Sequence, residues 1–338
     1  MRCWCILLMC SMLHTSFANA LLSQFENCNC SPRPDKETEQ LLKKLNAENH
    51  PPIDEASLQS LQSTPVQVTL NVLPQIHKIE TREIPGPVGP IKTRFYFPRT
   101  NTGALPVFVF FHGGGWVVGS LDEYDALCQE ICCQTPCIVA SVEYHLAPQY
   151  TFPVPLEDCY TATTWIAEHI QELGGDTTRL AIGGDSAGGN LAAAVTLMAR
   201  ERGLPRIDRQ VLIYPVMNNQ FDTLSYFLFA DGYFLTRDLM QLFWNMYLPQ
   251  KKDGTLPYAS PLQAATLDSL PPTLMVLANF DPLRDEGLAY AWRLHQANVP
   301  VVIKRYDTIH GCLNFAQELT VARTAIKEIA HYLAQDQI

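Results

Sequence analysis

The 338-residue chain is poor in positive charge: 24 lysines and arginines stand against 34 aspartates and glutamates, a net charge of −10 at pH 7. No basic cluster relieves that imbalance, which excludes nucleic acid as a partner and argues against attachment to anionic membranes. Long apolar runs are missing too. The stretch from Trp4 to Leu13 is too short to cross a bilayer. Internal repeats and low-complexity tracts are absent. So are nucleotide loops: neither glycine cluster completes G-x-G-x-x-G, because Asp185 and Val118 occupy glycine positions, and Asn190 stands where a P-loop needs lysine. Zinc-finger spacing is lacking as well. Cys128, Cys132 and Cys133 fall on an expected helix over 121–134 without paired C-x-x-C or histidine spacing. They read as small buried apolar residues or as members of scattered disulfides, and no metal is expected.

What is present begins with a leader. Arg2 supplies a positive end, an apolar stretch follows, and Ala18-Asn19-Ala20 makes a small-residue cleavage site. Residues 1–20 are therefore expected to be a signal peptide, and the protein to be periplasmic or secreted. Beyond the leader lie Cys28, Cys30, Cys128, Cys132, Cys133, Cys137, Cys159 and Cys312. Export permits disulfides, but spacing alone names no pairing.

Apolar runs at 91–97, 106–111, 137–144, 179–183, 210–214, 273–280 and 301–306 alternate with helical patterns. That alternation predicts an α/β fold: a mostly parallel central sheet with helices on both faces. Two segments look additional to it. Residues 21–75 carry polar, helix-compatible stretches such as Glu37 to Glu48, interrupted by Pro51-Pro52. Residues 216–257 concentrate aromatics, among them Phe221, Tyr226, Phe229, Phe234, Phe243, Trp244 and Tyr247. Core packing explains most such aromatics, yet their position suggests a helical cap over a site. The expected organisation is a leader, an N-terminal cap segment at 21–75 and a catalytic domain at 76–338 with a cap insertion.

The chemistry is written in two glycine motifs. Gly184-Asp185-Ser186-Ala187-Gly188 follows an apolar run and opens an alanine-rich helical stretch. A serine there sits on a sharp strand-to-helix turn, where only small residues fit two positions either side. Upstream, His112-Gly113-Gly114-Gly115-Trp116 follows another apolar run. Its side-chain-free amides suit an oxyanion, with Gly113, Gly114, Gly115 and Ala187 as candidate donors. A tight turn after a buried strand explains either motif alone; both, in this order, specify a nucleophile and its anion cradle. Of the histidines after Ser186, His295 and His331 fall in helical patterns, whereas His310 follows a strand across a short loop, as a general base should. Asp281 ends the run 273–280 and precedes Pro282, which suits both the acid of a triad and a helix N-cap. Trp116, Asp185 and Tyr214 are expected to contact substrate, with plain packing as the equal alternative for Trp116.

These residues closely resemble the hormone-sensitive-lipase-like carboxylesterases, the bacterial family IV branch of the α/β-hydrolases. The resemblance runs from about Pro85 to the C-terminus. It takes in the two glycine motifs, Tyr144 with Leu146-Ala147-Pro148, Phe152-Pro153, Leu212-Ile213-Tyr214-Pro215, Asp281-Pro282-Leu283-Arg284-Asp285 and His310-Gly311. It implies an α/β-hydrolase fold with a helical cap and the triad Ser186, Asp281 and His310. It also implies Gly114, Gly115 and Ala187 as the main oxyanion donors. Three positions depart from the family pattern: His145 replaces arginine, Gln149 an acidic residue, and Cys312 phenylalanine. A changed ion-pair pattern is expected from the first two, and more room beside the base from Cys312. The expected activity is hydrolysis of short- to medium-chain acyl esters by a monomer or homodimer, without a cofactor. A peptidase or amidase with the same triad, and a non-catalytic ligand receptor on the same fold, are the alternatives.

Overall fold

Side chains along β3 (Leu105–Phe111) alternate in direction, as a pleated strand requires. Val107, Val109 and Phe111 enter one apolar layer, while Phe108 and Phe110 enter another. A strand buried on both faces belongs at the centre of a parallel sheet. The computed structural model describes residues 33–47, 53–63, 76–99 and 103–335, and β3 is central there. The other strands are β1 (Lys78–Pro85), β2 (Pro90–Phe97), β4 (Ile138–Glu143), β5 (Gly175–Asp185), β6 (Arg209–Ile213), β7 (Thr273–Phe280) and β8 (Val301–Ile309). They form one eight-stranded sheet in the order β1-β2-β4-β3-β5-β6-β7-β8. The β1–β2 and β2–β4 pairs are antiparallel, and the rest are parallel.

The layer holding Val109 and Phe111 is covered by helices at Val154–His169, Ala187–Arg202 and Arg284–Gln296. The helix at Ala187–Arg202 is buried almost throughout, and its run of small residues (Gly188, Gly189 and Ala192 to Ala194) lets it lie close to the sheet. The layer holding Phe108 and Phe110 is covered by helices at Asp125–Gln134 and Thr320–Ala334. The described residues from Pro34 onward belong to one compact unit.

All seven expected strands are present; β1 had no sequence signal. Its residues, Lys78-Ile-Glu-Thr-Arg-Glu-Ile-Pro, are charged, and only Ile84 is buried, as suits an edge strand. The helix expected over 121–134 begins at Asp125, and the preceding four residues form a turn that reaches the site described below.

Among the described residues of the N-terminal segment are helices at Lys36–Ala47, the first, and Glu55–Ser63, the second. The first is pinned beside the end of β8. Asp35 N–H donates to Asp307 O at 2.8 Å, and the Thr38 and Thr308 hydroxyls meet at 3.0 Å. The second buries Leu58, and Gln62 donates to the carbonyl of Ala147 at 2.8 Å. Between β6 and β7 the chain inserts helices at Leu224–Leu228 and Arg237–Tyr247. Residues 1–32, with the leader, Cys28 and Cys30, lie outside the described residues, as do 48–52 and 64–75 of the N-terminal segment.

Candidate active site

Four loops leave the carboxyl edge of the parallel strands at β3, β5, β7 and β8, and each brings one part of the site. After β5 the chain turns directly into a helix, and Ser186 takes the corner at φ 55° and ψ −119°. That region is strained for a residue with a Cβ, so the surroundings must enforce it. They do so through contacts only glycine permits. A Cβ at Gly188 would lie 1.9 Å from Phe111 O, and one at Gly184 would lie 2.3 Å from the same atom. Ser186 N–H donates to Ile213 O at 2.9 Å, and its carbonyl accepts from Val216 N at 3.2 Å, tying the corner to the end of β6.

His310 follows β8 at once, and its Nε2 lies 2.8 Å from Ser186 Oγ. Its Nδ1 lies 2.8 Å from Asp281 Oδ2, just past β7. The other oxygen of Asp281, Oδ1, accepts from Leu283 N at 2.8 Å. Asp281 thus caps the turn at 282–283 and orients the imidazole; the helix itself starts at Arg284, two residues later than the N-cap reading placed it. All three groups are buried. The arrangement can pass a proton from hydroxyl to imidazole while a fixed carboxylate stabilises the resulting cation.

The glycine loop after β3 is held by Asp185. Gly113 N–H donates to Asp185 Oδ1 at 2.8 Å and lies 3.1 Å from Tyr124 Oη; the tyrosine hydroxyl donates to Asp185 Oδ2 at 3.1 Å. The Gly113 amide is therefore committed to the protein and not open to an oxyanion, which corrects its expected role. Gly114 and Gly115 adopt φ of 106° and 61°, and a Cβ on either would strike Val118 O or the Phe243 ring. Burial pushes the Asp185 carboxyl up to about 6, although the nearby His310 and the bonds from Tyr124 and Gly113 oppose it. Burial likewise depresses His112 to about 4. Its ring is neutral near pH 7, with Nδ1 donating to Gly113 O at 2.8 Å and the ring stacked on Tyr144.

A cavity of about 460 Å³ opens over these groups, lined by Gly113 to Gly115, Asp185, Ser186 and His310. Ile53 reaches it from the N-terminal segment, and Phe234, Leu235, Leu239 and Phe243 reach it from the insertion. Glu123, Tyr124 and Asn314 also line it. Sequence reasoning missed these last residues. Tyr124 and Glu123 lie in the turn read as helix, and nothing in their spacing ties them to Ser186.

Two expected substrate contacts are not in the cleft. Trp116 is fully buried, stacked on Tyr247 with ring centroids 4.3 Å apart and beside Trp244 at 4.6 Å. Its large apolar surface fastens the glycine loop to the insertion. Tyr214 is also buried and sets its ring edge-on to His310 at 4.8 Å, so it buttresses the imidazole. Asp185 does line the cavity, but its oxygens serve the loop. Cys312, expected to give room beside the base, is buried in the apolar layer beneath the helix at Thr320–Ala334 and does not line the cavity. His145 answers the expectation of a changed ion-pair pattern: its Nδ1 lies 2.6 Å from Asp158 Oδ2, and its backbone N–H donates to the same oxygen at 3.0 Å.

Residues 108–314 match a family model described as the alpha/beta hydrolase fold. The chain is 42% identical over 252 residues to the carboxylic ester hydrolase LipN of Mycobacterium tuberculosis, covering 72% of this chain and 67% of that protein. It is 38% identical over 240 residues to an arylesterase of Saccharolobus solfataricus, covering 70% and 75% of the two chains. Among solved structures it is similar to an ester hydrolase from the metagenome of Lake Arreo, bound to a derivative of bipyridine phosphonate. The TM-score is 0.82 at 33% identity, covering 89% of this chain and 98% of that one. A thermostable esterase from Pseudomonas putida gives a TM-score of 0.81 at 37% identity, covering 90% and 98%.

Proposed function

The chain belongs to the α/β-hydrolase fold family, in its hormone-sensitive-lipase-like branch, and on that premise we propose that it hydrolyses short- to medium-chain acyl esters through an acyl-Ser186 intermediate. The observation that carries this reading is the unbroken succession from Ser186 Oγ to His310 Nε2, and from His310 Nδ1 to Asp281, each step at 2.8 Å.

His310 takes the hydroxyl proton as Ser186 Oγ bonds to the ester carbonyl carbon. The carbonyl oxygen becomes an oxyanion, received by the amides of Gly114, Gly115 and Ala187. Losing one such donor typically costs on the order of 100- to 1000-fold in rate. Asp281 stabilises the imidazolium, which protonates the leaving alcohol as the ester C–O bond breaks. Water then gives a proton to His310 and attacks the acyl carbon. Collapse of the second oxyanion expels Ser186, which regains its proton. The apolar walls from Leu235, Leu239 and Phe243 suit an alkyl chain, and the modest cavity favours short ones.

Turnover of p-nitrophenyl esters from acetate to octanoate tests the reading. Ser186→Ala should lower kcat by on the order of 10^4- to 10^6-fold. Unchanged turnover would remove Ser186 as nucleophile. Export, with cleavage after Ala20, is part of the proposal and rests on the pattern around Arg2 and Ala18-Asn19-Ala20. The mass of the mature N-terminus checks it.

A further inference from the structure

Among the described residues that line the cleft, Glu123 is an ionisable side chain that ester cleavage does not use. The cleft walls are largely apolar, yet Glu123 stands among them, half-buried, in the turn before the helix at Asp125–Gln134. Ser120 fixes that turn: its Oγ lies 3.3 Å from Glu123 N and 3.3 Å from Glu123 Oε1. The second carboxylate oxygen, Oε2, has no partner among the described residues, and Glu123 forms no ion pair with any of them. No lysine or arginine lines the cleft among the described residues. The other charged or titratable groups facing it among the described residues are already engaged: Asp185 by Gly113 and Tyr124, Tyr124 by Asp185, and His310 by Asp281 and Ser186. Partial burial raises the Glu123 carboxyl above its ordinary range, a sign that water solvates it poorly.

We propose that Glu123 sets the charge preference of the cleft, favouring esters that carry an ammonium group on the acyl or the alcohol half and rejecting those that carry a carboxylate. The inference rests on the acyl-Ser186 reading and names the substrate class within it. In a cleft with apolar walls, charges interact more strongly than in water. An ammonium restores the solvation that Glu123 lacks, whereas a second carboxylate meets repulsion and finds no cation to offset it. A purely solvated surface glutamate would distinguish neither.

The test uses two matched ester sets. For the acyl half these are the p-nitrophenyl esters of butyrate, 4-(trimethylammonio)butyrate and hemiglutarate. For the alcohol half they are the acetates of 3,3-dimethylbutanol, choline and 4-hydroxybutyrate. The reading is the ratio of kcat/KM, cation over anion, in wild type, Glu123→Gln and Glu123→Lys. Fluorophosphonate labelling of Ser186 counts folded sites in each preparation. Wild type should favour the cation by about tenfold or more in at least one set. Glu123→Gln, nearly isosteric, should reduce that ratio to within about threefold of one, and Glu123→Lys should invert it. The same ratio in all three proteins, in both sets, overturns the proposal. Loss of the acyl-Ser186 reading has a different signature: wild type that neither turns over the neutral esters nor takes the probe.

Discussion

Asp185 shows how much one side chain beside the nucleophile can decide. It holds the glycine loop through Gly113 and meets Tyr124, while burial pushes its carboxyl up to about 6. Asp185→Ala would leave the Gly113 N–H with only the Tyr124 hydroxyl, itself freed from its carboxylate, and let the loop drift; misplacement by about 1 Å can cost roughly 100-fold. We expect kcat for p-nitrophenyl butyrate to fall about 10- to 100-fold with KM little changed, as steady-state kinetics would show. Asp185→Asn isolates the charge. With the folded carboxyl at about 6 and the unfolded one at 3.8, the folded state keeps a proton that the unfolded chain has released. This group's contribution to stability is therefore greatest below about pH 4 and declines as pH rises through 6. A shift of that size corresponds to about 3 kcal/mol. Relative to wild type, Asp185→Asn should gain stability between pH 4 and 7, and paired urea melts across that window check the sign.

Among the elements, the loop at 112–116 and the helix at Arg237–Tyr247 behave as one packed unit. Trp116 stacks on Tyr247 and packs beside Trp244, and Phe243 lies where any side chain at Gly115 would have to go. Trp116→Ala should therefore cost about 3–5 kcal/mol, the usual range for a buried aromatic, read as a lower melting temperature. A change in KM across acyl lengths with melting unaltered would return Trp116 to the cleft wall. The sequence placed this tryptophan beside the right glycines but could not say which way its ring turned. That direction depends on residues 128 to 131 positions downstream. The edge strand at Lys78–Pro85 was hidden for a different reason: exposed on an edge, it shows charge in place of apolar alternation. The turn carrying Glu123 and Tyr124 was absorbed into a helix because apolar periodicity continues through Leu121.

For the molecule as a whole, the described cysteines report on the core. Cys128, Cys132, Cys137, Cys159 and Cys312 are buried and Cys133 is exposed. Burial also raises the thiols of the first five, which further slows reaction. Iodoacetamide at pH 8, mapped by mass spectrometry, should modify Cys133 in the native protein and the buried five only on unfolding. Modification of the buried set at native rates would mean that the two apolar layers open locally.

Sequence alone determined the strand–helix alternation, the two glycine motifs, and Ser186, Asp281 and His310 as the residues to follow. Each is governed by local rules: pleat and helix periods, the steric demands of a sharp turn, and a loop at a strand's end. The tertiary structure decided which amide the loop withholds, which aromatics face the cleft, and that the Glu123 carboxylate, without an ion pair among the described residues, stands in its wall. Those outcomes depend on side-chain direction and on contacts between distant segments, for which adjacency in the chain carries no information.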